Sequence, residues 1–278
     1  MAILFSGDFH ANAKREISCI SKNNLRERYG YLRFYGKEEL LENINYHIML
    51  GDGSFMWPGN EKQDRENYRL LAMRPFPVLC VMGCNDPAIG MDNLPEEDIG
   101  IGGKVVLVNK EKPYIAYLKR GNVYSIDGIK MLVLGGSFNS GNDRRRPKTP
   151  RGEKECWRGR ELWTQQEEDD LFRFLEAENA FDMVISHNGP HCINKLLFKN
   201  KPHYSENDPV ALLNDRVCGR ISFLEWWCGY WHEDKMCFDE ETRRGYQYLY
   251  NRTMAVEKEG SRFRVYREFG MSSRILGE

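Results

Sequence analysis

Short apolar runs that stop at a glycine and a polar residue set the rhythm of this chain. AILFS at 2–6, YHIML at 46–50 and PVLCVM at 77–82 each end this way. Runs this brief, apolar on both faces, fit buried strands of a sheet covered by helices. Between them, KEELLEN at 37–43 and residues 61–73 carry helix formers with apolar residues at helical spacing. The first half therefore predicts strand and helix in alternation.

From Lys104 the texture changes to KVVLVN, YIAYLK, NVYSI and KMLVLGG, separated by turn residues and with Asp127-Gly128 as a hairpin signal. This pattern predicts a second sheet with antiparallel pairing. Thr164 followed by Glu167 is a capping box opening a helix through about Glu176, with Leu171, Phe174 and Leu175 on its apolar face. Residues 182–186 return as a strand that delivers His187, and 223–228 lead to a GYWH turn. Residues 247–250 and 253–256 complete the pattern, and the tail after Glu259, containing SRFRVYREFG, is an extra strand or a partly ordered extension. The expectation is an α/β fold of two packed sheets flanked by helices. The 278 residues suffice for one large domain or two small ones, and no Ser/Gly/Pro-rich linker divides them. One domain over 1–259 is expected, with 260–278 as the extension.

Charge narrows the partners. Forty basic residues against forty-one acidic ones leave a formal net charge of -1, so the global field does not favour nucleic acid or an anionic membrane. The opening MAILFSGDF has no basic region and only a brief apolar run, which fits a buried first strand rather than a signal peptide. No apolar stretch is long enough to span a bilayer. Eight cysteines, at 19, 80, 84, 156, 192, 218, 228 and 237, form no CxxC pair and lie mostly in apolar segments, the pattern of reduced core cysteines. These features together predict a cytoplasmic protein.

Acid and histidine motifs follow the predicted strands in order: GDFH at 7–10, GDG at 51–53, GCND at 83–86, SHNGP at 186–190 and GYWH at 229–232. A lone Asp or His at a strand end is ordinarily a cap or a satisfied turn residue. Five in order carry a metal site. The series resembles the calcineurin-like metallophosphoesterases, whose pattern is D-x-H, G-D, G-N-H-D/E, a lone H, then G-H-x-H. The resemblance covers almost the whole chain. Residues 83–106, GGS at 135–137 and WWCGYWHED at 226–234 are also similar to a bacterial single-domain branch of that family. It implies a four-layer sandwich of two packed mixed β-sheets flanked by α-helices.

The same resemblance implies a first metal held by Asp8, His10, Asp52 and His232, all matching the family pattern. Carboxylates mixed with imidazoles suit Mn, Fe, Zn or Ni better than Mg or Ca. Asp52 would bridge to a second ion, and His187 is the matching lone histidine. Cys84 and Tyr230 depart from the family's Asn and His there. Either both still coordinate, as thiolate and phenolate, or the second site is weak or empty; the substitutions favour the weakened site, with one ion expected. The family's general-acid histidine corresponds to Asn85, which can hydrogen-bond a phosphate oxygen but has no proton to give. A shift of one residue would instead aim Asn85 at the metal. Asp86 either orients its neighbours or caps the turn before Pro87. His187 holds an ion or contacts substrate, and His191 and His203 are substitute acids or ordinary surface histidines.

Residues 142–160 include Arg144, Arg145, Arg146 and Arg151, a clamp on a phosphate-bearing substrate or a solvated basic loop. Trp157 and Trp163 stack on a base or pin that loop. The expected function is metal-dependent hydrolysis of a phosphomonoester or phosphodiester by in-line attack of metal-bound hydroxide. The substrate would be a phosphorylated small molecule or nucleotide with a good leaving group. The alternative is a catalytically impaired relative that binds phosphate, a nucleotide or a protein partner, and a third reading is a nuclease.

Overall fold

The structure, a computed structural model, describes residues 1–8, 43–53, 76–84, 86, 94–110, 114–138, 161–250, 252–267 and 274–276. The helices expected at 37–43 and 61–73 lie, except for residue 43, outside the described residues, as do His10, Asn85, Arg144, Arg145, Arg146, Arg151 and Trp157.

The three opening apolar runs form β1 (Ala2–Ser6), β2 (Ile44–Met49) and β3 (Val78–Val81), parallel and side by side. Then come β4 (Glu96–Asp98), β5 (Lys104–Asn109) and β6 (Ile115–Leu118). These strands correct one expectation, because they extend the first sheet instead of starting the second. β6 lies parallel to β3, and β5 and β4 follow antiparallel. A strand-turn-strand pattern shows that β5 and β6 pair with each other, but not which sheet edge receives them. The decision rests with β6, whose four residues are all buried, as a strand beside β3 requires.

The second sheet begins at β7 (Val123–Ile126) and β8 (Ile129–Leu134). Their hairpin turns through Asp127 and Gly128, both at positive φ (49° and 77°), as a two-residue turn matched to strand twist demands. β9 (Met183–Ser186) and β10 (Glu225–Cys228) add to β8 in parallel, and β11 (Lys235–Asp239) and β12 (Arg244–Tyr248) complete the order β11-β12-β10-β9-β8-β7. β13 (Thr253–Glu259) returns antiparallel to β1, and β14 (Arg262–Arg267) and β15 (Arg274–Leu276) finish the nine-stranded first sheet. The tail thus supplies strands, and Phe263 and Val265 of β14 are buried in the same core as Ile3 and Phe5.

Alternation along the strands makes the layers. Ile3, Phe5, Ile48, Leu79 and Val81 face Met131, Val133, Met183, Ile185 and Trp227 in one apolar core shared by both sheets. Phe5 meets Trp227 edge to face at 4.9 Å between ring centroids. The intervening residues Leu132, Leu134, Val184 and Trp226 pack outward against α1 (Gln165–Ala177), α2 (His191–Phe198) and α3 (Pro209–Cys218). The fold is α/β, two mixed sheets packed together and flanked by helices. α1 opens on the expected capping box: Thr164 Oγ1 accepts from Glu167 N–H at 3.2 Å, and Glu167 Oε2 accepts from Thr164 N–H at 2.8 Å. Leu171 and Leu175 are buried, but Phe174 is 38% exposed, which corrects its placement on the apolar face. Leu171 and Leu175 are one turn apart and define the buried stripe, and Phe174 falls at its margin. No described helix is long and apolar enough to cross a membrane.

Phe5→Ala opens a cavity where the two sheets meet and is expected to cost about 3–5 kcal/mol. Thr164→Ala removes one cap and should cost about 1 kcal/mol. Urea unfolding of both variants checks this ranking, and a Phe5→Ala loss no larger than that of Thr164→Ala would contradict the packing described.

Candidate metal centre

Strand direction gathers the motifs. β1, β2 and β3 are mutually parallel and are followed by Gly7-Asp8, Gly51-Asp52 and Gly83-Cys84, while β8, β9 and β10 are followed by 135–137, His187 and Gly229. Ligands of open α/β sheets collect outside such carboxyl ends. Backbone bonds stitch the loops together: Leu50 N–H donates to Ser6 O, Gly136 N–H to Met82 O, and Gly229 N–H to His187 O, at 2.9, 2.7 and 3.0 Å.

Close approach explains two glycines. Gly51 sits at φ 100° against the His187 imidazole, where a Cβ would land on the ring. Gly83 lies against the Asp52 backbone and carboxylate and has no room for a Cβ either. Asp86, buried, accepts from Gly83 N–H at 2.8 Å and from the Tyr117 hydroxyl at 2.9 Å, so it holds the turn that presents Cys84.

A line of charge runs through the site. His232 Nε2 is 3.3 Å from Asp8 Oδ2, Asp8 Oδ1 is 3.4 Å from His187 Nδ1, and His187 Nε2 is 3.6 Å from Asp52 Oδ2. Cys84 Sγ is 3.3 Å from that same Asp52 oxygen. Among the described His, Cys, Asp and Glu residues, one group brings its donor atoms within 4.8 Å of one another: Asp52, Cys84 and His187. His187 Nδ1 is 2.9 Å from Leu50 O, and a carbonyl only accepts, so Nδ1 carries hydrogen. Nε2, fully buried and without a hydrogen bond, faces Asp52 and Cys84, so its lone pair becomes available to an ion when its proton leaves.

Electrostatics point the same way. Burial disfavours the imidazolium, yet the Asp52 and Asp8 carboxylates outweigh it and raise the pKa of His187 well above the ordinary histidine range. Burial, reinforced by Asp52, pushes the Cys84 thiol up. The pocket thus holds protons where a cation would sit. Three convergent buried donors, one a carboxylate, fit a divalent ion, and sulfur with imidazole beside carboxylate suits Zn or Fe better than Mg or Ca.

The remaining expected residues fall into place around this group. Tyr230 N–H donates to both Asp8 oxygens at 2.9 and 3.0 Å, while its hydroxyl donates to Phe138 O at 3.2 Å. Its ring stands edge-on to His187 at 5.4 Å, and burial, then the Asp208 carboxylate, raises the phenol pKa. His232, stacked on Tyr250 at 4.9 Å, lies 3.3 Å from Asp8 Oδ2. His191 is engaged by the Tyr204 hydroxyl at 3.0 Å and by Glu206 Oε2 at 3.2 Å, and His203 is exposed. Trp163 is pinned to the body, its indole N–H donating to Gly135 O at 2.8 Å under the Arg120 guanidinium.

Sequence reasoning missed a buried amide network behind His187: Asn188, Asn194, Asp208 and Asn214. The one available signal was Asn194 inside the otherwise apolar face of HCINKLLF.

No family model and no curated protein sequence matches the chain. A dimetal phosphatase from Danio rerio superposes with a TM-score of 0.51 at 11% identity, over 99% of this chain and 98% of that one. GAP50, the anchor in the inner membrane complex of Plasmodium, aligns at 0.45 and 9% over 99% and 88%. The phosphopantetheinyl hydrolase of Mycobacterium tuberculosis aligns at 0.41 and 10% over 89% of each chain. The chain therefore shares the fold of the dimetal phosphatase.

Raised pKa values at His187 and Cys84 mean that both are protonated near neutrality without metal, so ion binding must expel their protons. Zinc addition in weak buffer should release about two protons per ion, and zinc affinity should rise with pH between 6 and 8, roughly tenfold or more per pH unit. Proton-silent binding, followed by pH-stat titration, would contradict this ligand set.

Proposed function

We propose that the chain is a metal-dependent phosphoesterase acting on a phosphorylated small molecule or nucleotide. The observation that carries the reading is the buried Asp52, Cys84 and His187 group beside Asp8, at the end of the sheets where the motif loops converge. When bound, a divalent ion supplies an acidified water and neutralises charge building on phosphoryl oxygens. The likeness in fold to a dimetal phosphatase supports the same class of chemistry.

The protein's own groups have separable tasks in this reading. Asp52, His187 and the Cys84 thiolate hold the ion. Asp8 joins them, its carboxylate steadied by the Tyr230 N–H, and His232 closes the line on its far side. Leu50 O orients the His187 ring, and Asp86 holds Gly83 through its N–H. Asn85 carries an amide, a group able to donate to a phosphoryl oxygen but not to protonate a leaving group. Esters with acidic leaving groups are accordingly the preferred substrates. Tyr230 serves through its backbone rather than as a metal-bound phenolate, since its hydroxyl engages Phe138 O.

Purified protein assayed with Zn, Mn and Fe against an aryl phosphate and an aryl phosphodiester tests the proposal. Asp52→Asn should lower kcat/KM by about 100-fold or more, as loss of a directly acting charge typically does. Wild-type turnover in that variant would contradict the role given to Asp52, and no turnover by the natural chain with any of the three metals would leave binding without catalysis as the surviving reading. A second outcome concerns the missing acid. Asn85→His should raise turnover of alkyl esters more than that of aryl esters, by up to about 100-fold. An equal gain on both would contradict the leaving-group assignment.

A further inference from the structure

Asn194, on α2, is buried and uses every hydrogen-bonding position of its side chain. Its Oδ1 accepts from Trp231 Nε1 at 3.0 Å and from the Tyr248 hydroxyl at 2.8 Å. Its Nδ2 donates to Asn188 Oδ1 at 2.9 Å and to Gly189 O at 3.1 Å. These partners belong to the two motif loops and to β12. Asn188 and Gly189 follow His187 directly, and Trp231 stands between Tyr230 and His232.

The orientation of the amide is dictated from both ends. An indole N–H can only donate, so the oxygen of Asn194 must face Trp231 and its nitrogen must face Asn188. At the far end Asn188 Nδ2 donates to Asp208 Oδ2 at 2.8 Å, while Asp208 Oδ1 caps α3 through Val210 and Ala211 N–H. The carbonyl of Asn188 accepts from Asn214 Nδ2 and from Ser186 Oγ, each at 2.7 Å. Residues on either side of His187 are thereby tied to α2 and α3, while Gly229 N–H takes the His187 carbonyl. A flip or loss of the Asn194 amide would strand several buried polar groups at once, so the network is either whole or broken.

We propose that Asn194 is a positioning residue that sets the metal affinity of the centre by locking the loop carrying His187 to the turn carrying Tyr230 and His232. This rests on the reading of Asp52, Cys84 and His187 as metal ligands. Residues that orient ligands without touching the ion typically govern affinity by about 10- to 100-fold.

Zinc titration against a chromophoric chelator, on purified full-length variants whose folding is checked by circular dichroism, tests it. Asn194→Leu is expected to weaken zinc binding about 10- to 100-fold. Val105→Ala, a buried change on β5 away from this network, should leave affinity unchanged despite its loss in Tm. Trp231→Phe removes one bond of the network and should weaken binding less. Added to Asn194→Leu it should do nothing further, because two members of one network are not additive. Wild-type affinity in folded Asn194→Leu, additive losses in the double variant, or an equal loss in Val105→Ala would each overturn the proposal. Should the leucine variant not fold, Trp231→Phe decides alone: unchanged affinity overturns it and weaker binding supports it. His187→Ala separates the two levels, since undiminished zinc binding there removes the metal-ligand reading itself.

Discussion

Two buried carboxylates, Asp8 and Asp52, flank the buried His187 imidazole, with His232 on the outer side of Asp8, and the surrounding architecture answers that concentration of negative charge. At about 4 Å and an effective dielectric near 20, a pair of unit charges is worth roughly 4 kcal/mol. One proton on His187 offsets only one of the two carboxylates. A divalent ion there would supply two positive charges, and the Cys84 thiol would have to give up its proton to solvent in order to coordinate it. The raised pKa of His187 expresses those two carboxylates, whereas that of Cys84 comes first from burial and then from Asp52.

Holding such a pocket open strains the backbone. Asp52, Tyr230 and His232 all have positive φ, at 49°, 73° and 51°, and such conformations cost on the order of 1–3 kcal/mol each. Tyr230 is the clearest case, because Trp231 N–H reaches back to Gly229 O at 2.9 Å in a three-residue turn. What offsets the strain is the pair of bonds from Tyr230 N–H to Asp8, charge-assisted and therefore among the stronger kind. Rigidity comes from behind, where the Asn188, Asn194 and Asp208 relay and the outer core of α1–α3 fasten the second sheet's loops. The first sheet's loops are fastened by shape instead, since Gly51 and Gly83 let the backbone close on His187 and Asp52.

The chain on its own determined the strands and the order of the chemistry-bearing motifs. Alternation and apolar runs mark β1, β2, β3 and β7–β10 because each strand's two faces meet different surroundings. Asp127-Gly128 and the Thr164 capping box are legible because they act within a few residues. The assignment of β5 and β6 to the first sheet was not legible, since both sheets share one core and pairing partners lie far apart in sequence. The same limit hid the choice between hydroxyl and backbone at Tyr230, and the meeting of Cys84, Asp52 and His187, residues 32 and 103 apart along the chain. Local pattern names which groups are available to hold a charge. Their distances, their burial and the partners that exhaust their hydrogen bonds arise only when two sheets close over a common core.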